Sequence, residues 1–208
     1  VIYLRLILAA YKNKPDVIWF YNVQIIAPKI VALLKLLLPS AIFVQYANDN
    51  PFSKKAKIGI WRKYIKSIRY FDVYSIYREG DRIEYEAKGA KNINLLRSYF
   101  IPEEDYPIDL SSVPEKYKCD VVFAGHYEND GRVEMLEAIC EAGYKLNLFG
   151  GGWNAALQNL KIDSPLRSKY PISPVTNDDY RYAISGAKIA LCFLSTLNKD
   201  TYTRRNFQ

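Results

Sequence analysis

Histidine and cysteine are scarce, with 1 His and 3 Cys in 208 residues. The single histidine, His126, has no triad partner in view. Cys119, Cys140 and Cys192 lie singly in apolar stretches, without CxxC or Cys/His spacing. A metal centre or a disulfide framework is therefore not what organises this chain, and the thiols read as reduced, packed groups of a cytosolic protein. Long apolar runs are missing too. The opening VIYLRLILAA is too short to span a bilayer, is broken by Arg5, and has no small-residue cleavage site after it. There is no initiator Met, and the chain starts inside an apolar element and stops at TRRNFQ, so it reads as an internal piece of something longer.

What is present is apolar and uneven in charge. Half the residues are hydrophobic, enough for one large core or two modest ones. Residues 1–110 hold 17 Lys/Arg against 11 Asp/Glu, while residues 111–208 hold 12 against 11, and the differences of +6 and +1 sum to the net +7. The basic first half favours an anionic partner. Its Lys and Arg are not interleaved with aromatics as in a known nucleic-acid module, so nucleic acid is not expected.

Short β-rich runs alternate with helical periodicities. Strands are expected at 16–21, 41–46, 72–77 and 92–97, with helices at 25–38, 55–69 and 80–89. The stretch 101–118, with three prolines and no period, reads as a linker. Beyond it CDVVFAG, KLNLFGGG and KIALCFL are strands, and GRVEMLEAICEAG and NDDYRYAISGA are helical. Two such runs across a linker imply an α/β chain with parallel sheets in two domains, 1–105 and 118–208, joined by 106–117.

In open parallel sheets ligands bind beyond the carboxyl ends of the strands, so the turns after strands are the candidate sites. Gly125 and His126 close one strand, and Arg132 opens the next helix, an odd place for a cation unless a phosphate is near. A plain strand-turn-helix with a solvated arginine fits the same residues. FGGGWN (149–154) is a glycine turn with a nearby aromatic, without the GxGxxG pattern of a dinucleotide site. Thr203, Arg204, Arg205 and Asn206 form a dense donor cluster suited to diphosphate oxygens, or a solvated charged end. Asp49, in the polar turn YANDNPF, is placed for a general base, although such turns also arise for conformational reasons alone. The basic amphipathic stretch 53–69 fits either docking on its own sheet or contact with anionic membrane.

DVVFAG with an Arg-led helix, then LFGGGW, then YxxAxxxAKIAL, then TxRxF, in that order and spacing, resembles the CgeB-like, spore-maturation-type glycosyltransferases of the GT-B superfamily. KPDVIWFYN and FDVYSIYREGDRIEYEAKGAKNINLL extend the likeness into the first half. The resemblance implies two Rossmann-like domains facing a central cleft, an acceptor-side domain followed by a nucleotide-sugar donor domain. It implies a hexosyltransferase-like, metal-independent enzyme of glycan biosynthesis with no cofactor, whose acceptor is a glycan, a lipid-linked group or a protein. On that mapping Gly125, His126 and Arg132 lie near the cleft, His126 being with Asp49 a candidate catalytic residue, and Gly150, Gly151 and Trp153 form a loop beside the nucleotide. Tyr180 and Lys188 frame the next helix and strand, and Thr203, Arg204, Arg205 and Asn206 approach the diphosphate or sugar. Asp49 is the acceptor-side base. The chain carries Phe207-Gln208 where the family shows Phe-Glu. The location implied is cytoplasmic, with peripheral contact at the membrane's cytoplasmic face through 53–69. The alternative is a non-catalytic GT-B-like module that binds a glycan or protein.

Overall fold

The structure, a computed structural model, describes residues 2–53, 58–195 and 200–206. The Phe207-Gln208 pair and residues 54–57 of the basic stretch lie outside the described residues. The chain divides into two compact units, Val1–Ser98 and Tyr99–Gln208. Each is α/β with a wholly parallel sheet.

In the first unit the opening apolar run is a helix, α1 (Ile2–Asn13), that turns Leu6, Ile7 and Ala10 inward and leaves Leu4, Leu8 and Tyr11 exposed. β1 (Val17–Tyr21), α2 (Pro28–Leu37), β2 (Ile42–Ala47), α3 (Ile58–Ser67), β3 (Val73–Ile76), α4 (Arg82–Ala87) and β4 (Ile93–Leu95) follow. α2 begins three residues later than the periodicity suggested, because Pro28 occupies the first turn, where its missing N–H is harmless. A 3-10 turn at Glu79–Asp81 likewise takes over the start expected of α4.

The strands lie in the order β1-β2-β3-β4, so each crossover steps the same way. Right-handed crossovers stepping one way put every connecting helix on one face. Phe20, Phe43, Tyr74 and Ile76 point to that face and pack with Val31 and Leu34 of α2, Trp61 and Tyr64 of α3, and Tyr85 of α4. The apolar stripe of α3 is thus taken by its own sheet, with Arg62, Lys63 and Lys66 outward. Buried phenols are satisfied in place: Tyr64 and Tyr85 share a hydroxyl hydrogen bond of 2.8 Å, and Tyr74 donates to the Ile68 carbonyl at 3.0 Å. Burial pushes all three phenols above their ordinary pKa.

The second unit contains β5 (Cys119–Ala124), α5 (Arg132–Glu141), β6 (Leu146–Phe149), α6 (Trp153–Leu157), α7 (Asn177–Ser185) and β7 (Ala187–Leu191). The stretch 106–117 lies within this unit, where Val113 and Tyr117 are buried. The strand order is β6-β5-β7. Val121, Phe123, Leu146 and Leu148 pack on α5 and α6, whereas Val122 packs with Ala183 of α7 on the other side. The step from β5 to β6 therefore runs over one face, which α6 also covers, and α7, which leads back into β7, lies on the opposite one. Cys119 is buried, Cys140 and Cys192 are half-buried, and none is in a disulfide. No described helix is long and apolar enough to cross a membrane.

One-sided packing of the first sheet has a measurable consequence. Phe43→Ala should destabilise the fold by about 3–5 kcal/mol. Ile42→Ala, next to it but 47 % exposed on the face without helices, should cost about 1 kcal/mol or less in urea unfolding. Equal losses would contradict this assignment of faces.

Candidate functional site

The strand order β6-β5-β7 places the topological switch point between β5 and β7, so the carboxyl end of β5 lies at it and that of β6 beside it. Such points are where open α/β sheets take ligands. The turns leaving these two strands are Gly125-His126 and Gly150-Gly151-Gly152, and they are tied to each other. Gly125 N–H donates to the Phe149 carbonyl at 2.8 Å, and Tyr127 N–H to the Gly151 carbonyl at 3.0 Å. A Cβ on Gly150, whose φ is +148°, would lie 1.8 Å from the Gly125 carbonyl oxygen. Gly151 passes under the His126 ring, where a Cβ would sit 3.2 Å from Nε2. Both glycines are needed for close approach of backbone to neighbour, not for flexibility.

Around these turns the structure brings together Gly125, His126, Gly150, Gly151, Tyr180 and Arg205, which line one recess of about 50 Å³ together with Phe149 and Pro174. The Arg205 guanidinium lies over the Tyr180 ring, 5.3 Å from its centroid. Tyr180 and Arg205 also wall a larger cavity of about 460 Å³, whose other side carries Glu103, Glu104 and Asp178. Asp178 belongs to the first turn of α7, while Glu103 and Glu104 fall in the proline-rich stretch read as linker. Nothing in its sequence distinguishes a wall from a solvated turn.

Other expected contacts have different neighbours. Arg132 is buried at 3 % side-chain exposure and is committed to its own loop. Its Nε and Nη2 donate to the Asp130 carboxylate at 2.7 and 2.6 Å, Nη1 donates to the His126 carbonyl, and Glu128 stands 3.7 Å away. The Phe123 and Phe193 rings flank the guanidinium. This explains a cation in the first turn of a helix: Asp130 and Glu128 just upstream compensate it. In return the Arg132 hydrogen bond holds the Asp130 carboxyl below the usual carboxylate range.

Trp153 is the first residue of α6 and is 1 % exposed. Its indole Nε1–H donates to the Gly125 carbonyl at 3.0 Å, so the ring supports the site from behind. Thr203 and Asn206 build the final turn. Thr203 N–H donates to Asn206 Oδ1 at 2.8 Å, and Arg205 N–H to Thr203 Oγ1 at 3.2 Å. Arg204 turns instead to the Tyr99 ring.

Lys188 sits at the other end of the sheet. It follows Ala187, which pairs with Cys119, the first residue of β5, and its Nζ donates to Asp120 at 2.7 Å. Five residues of strand separate Asp120 from Gly125, about 16 Å. Asp49 belongs to the first unit, where its Oδ2 accepts from Asn22 Nδ2 at 2.9 Å.

Neither a protein-family model nor a curated protein matches the sequence. Among the described residues no group of three or more His, Cys, Asp or Glu side chains is arranged to hold a metal ion.

Gly150→Ala should cost about 3 kcal/mol or more, since backbone, not a movable side chain, occupies the Cβ position. Gly152→Ala, where the nearest atom is 3.7 Å away, should cost only the left-handed penalty of about 1–2 kcal/mol. Urea midpoints for the two variants test this ordering, and a Gly150→Ala protein as stable as the parent would refute the close approach.

Proposed function

We propose that the chain is part of a glycosyltransferase that moves a sugar from a nucleoside-diphosphate donor to an acceptor, with the donor diphosphate at the carboxyl end of the β5–β6 pair. The observation that carries this reading is the meeting of two glycine turns, Tyr180 and Arg205 at the reversal of strand order. Backbone at glycine turns admits phosphate oxygens closely, and a guanidinium offers them a planar pair of donors. Charge that develops on the leaving diphosphate would be stabilised electrostatically by Arg205, without a metal ion. The GT-B arrangement, with the first unit serving the acceptor, belongs to this reading, as does a cytoplasmic location.

The neighbouring cavity walled by Tyr180 and Arg205 is of the size that holds a sugar or a nucleoside. A second reading, a binding module without turnover, draws on the ion pairs that engage Arg132 and Lys188 and leave Arg205 as the cation at the recess.

A thermal-shift titration with UDP, GDP, ADP, CMP and dTDP, with and without EDTA, tests the reading. One nucleotide should raise the melting temperature, with about 2.7 kcal/mol of added stability at a hundredfold excess over its Kd, and EDTA should not remove the effect. Arg205→Ala should abolish the shift while leaving the unliganded melting temperature near that of the parent. No shift with any nucleotide would overturn both the donor site and the reaction. A shift without sugar transfer to any acceptor would favour the binding module.

A further inference from the structure

The helix layer of the first unit carries a surface that its own sheet does not use. α2 packs against both α1 and α3, so the three form one continuous layer, each with an apolar side turned to the core. Leucines also remain on the outside. Leu4, Leu8 and Tyr11 of α1 recur at the i, i+4, i+7 spacing of one helical stripe and are exposed. Lys29, Leu33 and Leu36 repeat that spacing on α2, where Leu36 is 79 % exposed. At one end the layer is tied across. The Ile25 carbonyl accepts from the Tyr3 hydroxyl of α1 at 2.6 Å and from Lys63 Nζ of α3 at 3.5 Å, and the Ile25 side chain is itself exposed. Single exposed apolar residues are ordinary, whereas a contiguous set marks an interaction surface.

The charge on this layer has one sign. α1, α2 and α3 contain two, two and three Lys/Arg and no Asp or Glu. Lys35 pairs with Asp72, while Arg5, Lys12, Lys29, Arg62 and Lys66 are exposed. Divided at the boundary between the units, residues 1–98 hold 17 Lys/Arg against 7 Asp/Glu, and residues 99–208 hold 12 against 15. The differences of +10 and −3 sum to the net +7, so the basic character belongs to the first unit alone.

We propose that the outer face of α1, α2 and α3 docks on an anionic lipid surface, with the leucines entering the interface and the cations meeting headgroup phosphates. Aliphatic stripes bordered by Lys and Arg are the chemistry of an element that lies in the plane of a bilayer surface. No described helix is long and apolar enough to cross a membrane, so the contact is peripheral. Each half of the pattern excludes an alternative. Nucleic acid would use the cations and leave the leucines in water, and a second copy of the same face would set cations against cations. The uncovered face of the sheet is apolar as well, through Trp19, Tyr21 and Ile42, but the outward residues of β1 and β2 carry no charge to attract lipid phosphate. α3 contributes mainly charge, because its apolar stripe is taken by its own sheet, and the apolar contact comes from α1 and α2. The inference stands apart from the donor-site reading, since it concerns other residues in the other unit.

Vesicle flotation of the whole chain tests the proposal. The protein should float with vesicles of equimolar phosphatidylcholine and phosphatidylglycerol and not with phosphatidylcholine alone. The double variant Leu8→Ser/Leu36→Ser should weaken binding by about tenfold or more, the factor that burial of one leucine is worth. Lys29→Gln/Lys66→Gln should weaken it comparably. All four side chains are exposed, so the melting temperature should stay near that of the parent. Ile42→Ser, on the uncovered sheet face, and Ile162→Ser, exposed in the second unit, should leave binding unchanged. No flotation with either vesicle, equal flotation with both, or weakening by Ile42→Ser in place of the leucine variant would each overturn the proposal. Vesicle binding that survives the leucine variant and is matched by binding to heparin would overturn it in favour of a polyanion such as nucleic acid. A dimer that the leucine variant dissolves, with no vesicle binding, would overturn it in favour of a second copy.

Discussion

Gly150 passes so near the Gly125 carbonyl that no side chain fits between them, and the carboxyl end of the second unit's sheet is organised by that approach. With the two backbones this close, the Gly125 N–H reaches the Phe149 carbonyl and the Tyr127 N–H reaches Gly151. The Trp153 indole then caps the Gly125 carbonyl from the core side at 3.0 Å. The turns after β5 and β6 become one rigid edge, not two separate loops. His126 is carried out over Gly151 as a result, and the segment through Pro174 is drawn in by the Gly150 N–H bond to the Ser173 carbonyl at 3.1 Å. Tyr180 and Arg205 complete a recess lined by these glycines.

The Arg132 clamp is the electrostatic counterpart of that packing. A guanidinium buried between Phe123 and Phe193 would be costly if unpaired, and the bidentate Asp130 pair, the His126 carbonyl and Glu128 compensate it. Its service to the site is indirect: it fixes the loop that presents His126. The first unit shows the reverse situation. There the buried phenols of the aromatic core are hydrogen-bonded in place, while Asn22 Oδ1 and Asn48 Oδ1 at the strand ends have no donor among the described residues.

The α/β character and parallel sheets were legible because strands and helices differ in period, and each expected strand forms near its predicted limits. α6 escaped notice because five residues are too few for a helical stripe, so Trp153 passed for a loop aromatic and not a core residue. Of the site, the glycines were legible as turns at the ends of strands, and Arg205 as a member of a donor pair. The division of labour between Arg204 and Arg205 was not, since it depends on which ring each meets. The commitment of Arg132 had a signal in the acids two and four residues before it. The placement of Lys188 had none, because strand register is a property of the pairing and not of the local sequence.

Amide chemical-shift mapping during titration with UDP, GDP and ADP in turn would test most directly whether the carboxyl end of the second sheet is the ligand site. Perturbations centred on Gly125, His126, Gly150, Gly151 and Tyr180 are expected with one of the nucleotides. Perturbations centred instead on Asp120 and Lys188 at the amino end, or none with any nucleotide, would contradict it.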